Sequence, residues 1–303
     1  MEKWTIGDMA RQDGRMAVVT GTGGLGFAVA HALTRAGADV VIAGRDTGKG
    51  AEAVARIRSD VAAANVRFET LDLASLGSVA RFAERLGKDE QQLDLLVNNA
   101  GVMVPPERRE TADGFELQFG TNHLGHFALT GHLLPLLCAS DGARVVSVSS
   151  VAARSGSVDW DDWNATASYS AMPVYARSKI ACLMFGFEFE RRSGAAGWKI
   201  SSIAAHPGVA RTELLHNGPG RGSLHSRVRS LLPFLFQPAA QGALPLLYAA
   251  TSPNARAGGY YGPDRLGETR GHPTEAKIPP QALDSAAIKQ LWALSEDATG
   301  VRF

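Results

Sequence analysis

A tyrosine and a lysine one helical turn apart, in Tyr175-Ala-Arg-Ser-Lys179, put a phenol and an ammonium on the same face of a helix. A free phenol titrates near pH ~10, so acid/base work around pH ~7 requires roughly 4 kcal/mol of preferential stabilisation of the phenolate. One ammonium at about 4 Å, in an effective dielectric of about 20, supplies about that much. Tyr and Lys at this spacing are also common on solvated helices, so the meaning of the pair depends on its company.

A second device lies near the start of the chain. Thr20-Gly21-Thr22-Gly23-Gly24-Leu25-Gly26 follows a strand candidate and opens a helical pattern. Gly21, Gly23 and Gly26 match G-x-G-x-x-G, where the backbone turns sharply and helix N-terminal N–H groups face the pyrophosphate of a dinucleotide. The next strand candidate ends in Ala43-Gly44-Arg45-Asp46, where an acidic residue would grip the ribose 2′-hydroxyl of NAD. Gly44 stands there instead and Arg45 follows, whose planar donor fork suits a 2′-phosphate, so NADP(H) is favoured over NAD(H). Asp46 has two options, pairing with Arg45 or capping the next helix.

The elements that position these residues alternate in the βαβ manner of a parallel sheet. Strand candidates are Met16 to Thr20, Asp39 to Ala43, Arg67 to Leu71, Leu93 to Val97, Ala143 to Ser149, Lys199 to Ala204 and Gly259 to Tyr261. Helical patterns cover Gly24 to Ala36, Gly48 to Ala64, Leu76 to Leu86, Gly114 to Leu137, Val174 to Arg192 and Ala282 to Leu294. Right-handed crossovers then place helices on both faces. The expected fold is a doubly wound, Rossmann-type α/β sheet of about seven strands, one domain over residues 1–303 with a cofactor-binding and catalytic core at 14–205 and a substrate-loop region at 206–258. Two stretches break the alternation. Arg154 to Pro173 reads as an insertion or long loop, and His206 to Pro238 as a mobile segment with an amphipathic helix.

Composition narrows the classes. The 303 residues are 45% hydrophobic and 20% charged, and 31 Lys and Arg nearly balance 30 Asp and Glu, which leaves no nucleic-acid footprint and no polybasic membrane patch. No apolar run approaches a membrane span, Leu231 to Phe236 being short and interrupted by Pro233, and Met1 to Arg15 resembles neither a signal nor a transit peptide, so a cytoplasmic location is the default. Cys138 and Cys182 sit in apolar helical patterns and read as packed small hydrophobes. His123 and His126 lack a third ligand nearby, so no metal site is expected.

With the glycine turn, Asn98-Asn99-Ala100-Gly101 after the fourth strand candidate, Ser149-Ser150 ending the fifth and Tyr175-x-x-x-Lys179, the chain resembles the short-chain dehydrogenase/reductase family over about residues 14 to 265. Asn122-His123-Leu124-Gly125-His126-Phe127 and His206-Pro207-Gly208 are similar to the branch containing retinol dehydrogenases and protochlorophyllide reductases, which mostly uses NADP(H). The resemblance implies that Tyr175 is the acid/base, that Lys179 favours its phenolate and holds the nicotinamide ribose, that Ser150 hydrogen-bonds the substrate oxygen, and that Asn122 anchors a water linking Lys179 to solvent. It further implies cofactor contacts from Gly21, Gly24, Leu25 and Gly26, from Arg45, from Asp72 and Leu73 beside the adenine, and from Asn99, Ala100 and Gly101. Pro207, Gly208, Val209 and Thr212 would close over the nicotinamide.

The implied reaction interconverts an alcohol and a ketone or aldehyde, and the apolar segment Leu214 to Phe236 points to a hydrophobic substrate. A reductase of an activated carbon–carbon double bond and a non-catalytic dinucleotide sensor stand as alternatives. A homodimer or homotetramer is implied too, with the helices from Gly114 and Val174 as the interface common in this family. Two departures stand out. The family turn Thr-Gly-x-x-x-Gly-x-Gly is one residue short here, so either strand and helix approach differently or Gly23 takes an unusual backbone conformation. Ser150 and Tyr175 are also further apart than usual, and Trp160 and Trp163 in the intervening insertion either wall the substrate entrance or pack it against the body.

Overall fold

The computed structural model describes residues 3–210 and 237–303. Thr212 and the expected lid, Leu214 to Phe236, lie outside the described residues. Strands β1 (Met16–Thr20), β2 (Asp39–Gly44), β3 (Val66–Thr70), β4 (Leu95–Asn98), β5 (Arg144–Val148), β6 (Ser201–Ala205) and β7 (Tyr260–Arg265) form a parallel sheet. An eighth strand, β8 (Arg270–Glu275), pairs antiparallel with β7, giving the order β3-β2-β1-β4-β5-β6-β7-β8. This corrects the expectation of about seven strands: Arg270-Gly-His-Pro-Thr-Glu has no apolar residue to betray a strand, and its Pro273 is tolerated because β8 is an edge.

Helices cover both faces because the strand side chains alternate and both sets are apolar. Ala17 and Val19 pack with α1 (Gly24–Arg35) and α2 (Thr47–Asp60), while Met16 and Val18 pack on the opposite side with α3 (Leu76–Asp89). Where the sequence suggests one helix from Gly114 to Leu137, the chain instead forms α4 (Leu117–Phe119), a π-helical turn (Gly120–Leu124), α5 (Gly125–His132) and α6 (Leu134–Ala139). The π-turn is closed by Gly125 N–H donating to the Gly120 carbonyl. Its glycines admit close neighbours: a Cβ on Gly120 would lie 2.5 Å from Thr111 Cγ2, and one on Gly125 2.4 Å from the Leu73 carbonyl oxygen. Pro135, in the first turn of α6, marks the break from α5.

Helix α7 (Ala171–Ala196) starts before Pro173, since the first turn of a helix needs no N–H from that position. Two short helices, α8 (Ala239–Gly242) and α9 (Leu244–Thr251), lead to β7, and α10 (Ser285–Thr299) closes the chain against α7. Asp284 caps α10 by accepting from Ala286 N and Ala287 N. Trp163 packs tilted against Phe115 and Phe119, with ring centroids 6.0 and 5.6 Å apart, and Trp160 packs on the same cluster, so both tryptophans fasten the insertion to the body. Cys182 is buried as expected, whereas Cys138 is exposed near the end of α6. Among the described residues no helix is long and apolar enough to cross a membrane.

His123 and His126 do not face each other as a ligand pair. His123 Nε2 bonds the Ser295 hydroxyl at 2.8 Å, and His126 lies against Thr20 at 3.0 Å. Burial, and then the neighbouring His126, push His123 down to about 3; burial pushes His126 down to about 4, opposed by its bond to the Asn122 carbonyl and assisted by Lys179. Both rings are therefore neutral in the fold, while in the unfolded chain each takes up a proton below about pH 6.5. The unfolded state then binds more protons, so their stabilising contribution is complete above that pH and is lost as pH falls towards the folded values. Between pH ~6.5 and ~5, stability should drop by up to about 1.4 kcal/mol per pH unit for each histidine. Urea midpoints measured across that window, with His123→Gln shallowing the slope by about one histidine's share, check this; equal slopes in both proteins would contradict it.

Candidate active site

A groove of about 490 Å³ opens along the C-terminal ends of β1, β2, β4, β5 and β6, where an open α/β sheet places its ligands. It gathers residues scattered over most of the chain. At one end lie Gly21, Gly23, Gly24, Leu25, Arg45, Asp72 and Leu73; in the middle Asn99, Ala100 and Gly101; at the other end Ser150, Tyr175, Lys179, Pro207, Gly208 and Val209. Gly26 and Asn122, also expected at the site, do not line the groove but support it from behind.

The short glycine turn resolves differently from the expectation placed on Gly23. Gly23 is extended, with φ −128° and ψ 176°, and the left-handed conformations fall on Gly21 at +101° and Gly24 at +53°. A Cβ on Gly26 would sit 2.3 Å from the Gly21 carbonyl oxygen, so strand and helix approach as closely as backbone allows. Gly23 caps α1 without a side chain, and no acidic residue occupies the first turn. The helix N-terminus thus presents its N–H groups and positive dipole end to the groove, a fitting cradle for a pyrophosphate.

One hydroxyl joins the turn to the middle of the groove. Thr20 Oγ1 accepts from Asn99 N at 2.8 Å and Ala100 N at 2.9 Å, while Asn99 Nδ2 donates to the Thr20 carbonyl at 2.7 Å. With both lone pairs engaged, the Thr20 hydroxyl has two acceptors for its proton, His126 Nε2 at 3.0 Å and the Val97 carbonyl at 3.3 Å. His126 Nδ1–H then donates to the Asn122 carbonyl at 2.9 Å, which assigns the tautomer. Asn122 itself sits in the π-turn, fully buried. Its amide clamps the backbone of Val102 from both sides, accepting from Val102 N at 2.8 Å and donating to the Val102 carbonyl at 3.0 Å, and also reaches Ser178 at 2.9 Å. Gly101 makes room for this, since a Cβ there would lie 2.9 Å from Asn122 Oδ1.

At the far end, Ser150 and Tyr175 both face the groove despite their separation in sequence. Ser150 Oγ accepts from Ala152 N at 3.2 Å and so keeps its own proton available to donate. Lys179 Nζ lies 6.0 Å from the centre of the Tyr175 ring and donates to the Val148 carbonyl at 3.0 Å. Ser149 Oγ donates to the Lys179 carbonyl at 2.8 Å, tying α7 to the end of β5. The Asp46 carboxylate accepts from Lys49 N at 3.0 Å, so it caps α2 and leaves Arg45 at the groove. Asp72 accepts from Ala74 N at 3.0 Å ahead of α3, and Leu73 borders the groove beside it. Asn98 donates to Thr130 at 3.0 Å and fastens β4 to α5.

The sequence pointed neither to Lys49 nor to Met103 and Met172, which also border the groove. Lys49 stands in the first turn of α2, four positions after Arg45, a spacing readable in principle. Met103 carried no pattern, because the loop bearing it takes its shape from two side chains of the helix beneath: Asn122 holds Val102, and Gln118 Oε1 accepts from Val104 N at 2.7 Å.

The short chain dehydrogenase family profile matches residues 15–219. Mouse polyprenol dehydrogenase is 41% identical over 295 residues, spanning 95% of this chain and 85% of that protein. Human retinol dehydrogenase 12 is 37% identical, spanning 96% and 88% respectively. A crystal structure of an uncharacterized protein from Mycobacterium paratuberculosis aligns with a TM-score of 0.82 and 37% identity over 99% of each chain. The active-site complex of Pseudomonas aeruginosa RhlG with NADP aligns at 0.66 with 25% identity, covering 82% of this chain and 94% of that one. With the glycine turn, the Ser150, Tyr175 and Lys179 cluster and these similarities in place, the chain belongs to the short-chain dehydrogenase/reductase family, in its retinol dehydrogenase-like branch.

Proposed function

We propose that this oxidoreductase uses NADP(H) to interconvert a hydrophobic alcohol with its ketone or aldehyde, Tyr175 handling the proton. The observation that carries this reading is the convergence of Ser150, Tyr175 and Lys179 at one end of a groove whose other end is a glycine turn and Arg45. The residues fit a dinucleotide: the cradle at Gly21 and Gly26 has no space for side chains, and the start of α1 is free of acidic groups. Bound there, a nicotinamide cofactor supplies or accepts the hydride.

In the reducing direction, negative charge grows on the carbonyl oxygen of the substrate. Ser150 donates a hydrogen bond to that oxygen, and Tyr175 delivers the proton that completes the alcohol. Lys179, fixed by Val148, sets its charge beside Tyr175, and its remaining N–H donors would hold the ribose hydroxyls of a bound cofactor. Asn122 acts by holding the Gly101 to Met103 backbone against the groove. Arg45 and Lys49 at the groove edge, with Asp46 committed to capping α2, support a 2′-phosphate over a 2′-hydroxyl. The NADP in the RhlG complex agrees with that preference. Relatives named for polyprenol and retinol, both apolar alcohols, support a hydrophobic substrate, as do Met103 and Met172 at the groove.

Assays of NADPH consumption with ketones, aldehydes and activated alkenes, and of NADP reduction with alcohols, test the reaction class; turnover confined to alkenes would replace it. Tyr175→Phe should lower kcat roughly 10²- to 10⁴-fold while leaving NADPH titration unchanged, and turnover like wild type would remove Tyr175 from the mechanism. Arg45→Gln should forfeit a charge-assisted bond of about 1.5–3 kcal/mol, weakening NADPH roughly 10- to 100-fold and NADH about twofold at most. Equal weakening of both cofactors would argue against a 2′-phosphate contact.

A further inference from the structure

Beyond the groove's own lining, a buried histidine, a glutamate on a strained turn and an arginine meet at the nicotinamide end. His206 follows β6 directly and its ring is 1% exposed. Gly208 N donates to His206 Nδ1 at 3.2 Å, so that nitrogen is an acceptor and the ring proton sits on Nε2. Nε2–H points at Glu268 Oε2, 2.9 Å away. Gly262 permits this packing, because a Cβ there would fall 2.1 Å from Nε2.

Glu268 comes from the turn between β7 and β8. Leu266, Gly267 and Glu268 have φ of 49°, 65° and 66°, three consecutive left-handed residues of which two carry side chains. Such conformations persist only where the surroundings over-determine them. Here the carboxylate accepts from His206 and from Lys277 N at 3.0 Å, and pairs with Arg154 Nη2 at 2.7 Å. Burial works against its charge, yet these partners hold the Glu268 carboxyl at about 2. Arg154 also donates to the Gly267 carbonyl at 3.0 Å. It belongs to the 3₁₀ turn Val151–Ser155 that Ser150 caps, four residues from the serine facing the groove.

One carboxylate thus links the two walls that close on the nicotinamide end: the Ser150 wall through Arg154, and the Pro207 to Val209 wall through His206. The same hairpin holds the second wall again, Val209 N donating to the Thr269 carbonyl at 2.8 Å. We propose that Glu268, with Arg154, is a positioning residue that sets the spacing between Ser150 and the Pro207 to Val209 segment, and so the placement of the nicotinamide ring against Tyr175. This rests on the hydride-transfer function proposed above.

The test pairs kinetics with the emission of bound NADPH, which reports the surroundings of the ring without any chemical step. Glu268→Gln preserves shape and an acceptor for His206 but removes the charge facing Arg154. It should lower kcat roughly 10- to 100-fold, as small misplacements of reacting groups do, with the KM for the carbonyl substrate within about twofold and bound-NADPH emission shifted towards that of free cofactor. Arg154→Gln should act in the same way, and the double variant should be no worse than the poorer single one, because both break one link. Urea midpoints identify loss of fold, in which case Glu268→Asp, keeping the charge, should recover part of kcat and of the emission. Kinetics and emission like wild type in Glu268→Gln, or losses that multiply in the double variant, would overturn the proposal. If the native enzyme turns over no carbonyl or alcohol, the proposed reaction fails instead, and the emission comparison alone still decides the role of Glu268.

Discussion

The hydroxyl of Thr20 sets the register of the groove. It is the last residue of β1, and it takes two backbone N–H donors from the exit of β4 while lying against His126, which in turn grips the π-turn at Asn122. The glycine turn, the Asn99 to Gly101 floor and the helix beneath the Ser150 and Tyr175 end are therefore joined through one oxygen and one imidazole. A valine of the same shape would leave two partly buried N–H groups without this partner, each costing up to about 1–3 kcal/mol. The neutrality of His126 is part of the arrangement, since a proton on Nε2 would compete with the one that Thr20 donates.

Around that link, charge is distributed unevenly. The interior behind the sheet is served by neutral rings, while positive groups stand along the groove at Arg45, Lys49 and Lys179. The N-terminus of α1 adds the partial positive charge of its dipole. Asp46 and Asp72 also border the groove, the first engaged with Lys49 N and the second with Ala74 N.

Sequence reasoning reached the first seven strands to within a residue or two at most ends: β1, β2, β4 and β5 are short runs rich in Val, Ile, Leu or Ala and almost wholly buried, while β3 (VRFET) and β7 (YYGPDR) are less apolar or less buried. The groove brings together Ser150, which the family resemblance singled out, with Tyr175 and Lys179, whose one-turn spacing was legible on its own. The π-turn escaped sequence reasoning, because what distinguishes it, Gly120 packed close to Thr111 and Gly125 close to Leu73, is a matter of tertiary packing. The eighth strand escaped for want of apolar alternation. Glu268 was silent for a third reason: its partner His206 lies 62 positions away, and the turn that aims it takes a backbone conformation its residue types do not advertise. Trp160 and Trp163 were visible as aromatic mass, but only packing could tell wall from fastener.

The burial of α7 bears on how copies of this protein meet. From Val174 to Phe189 almost every residue is buried, and α10 with Phe303 lies over what would otherwise be its outer side, Phe303 touching Phe127 at 4.9 Å and Phe189 at 5.6 Å between ring centres. A helix already wrapped by its own chain offers little skin to a twin. Docking of two subunits through α5 and α7 would have to displace the carboxy-terminal tail or pack against it, since Phe303 and α10 cover a nest of aromatic rings there.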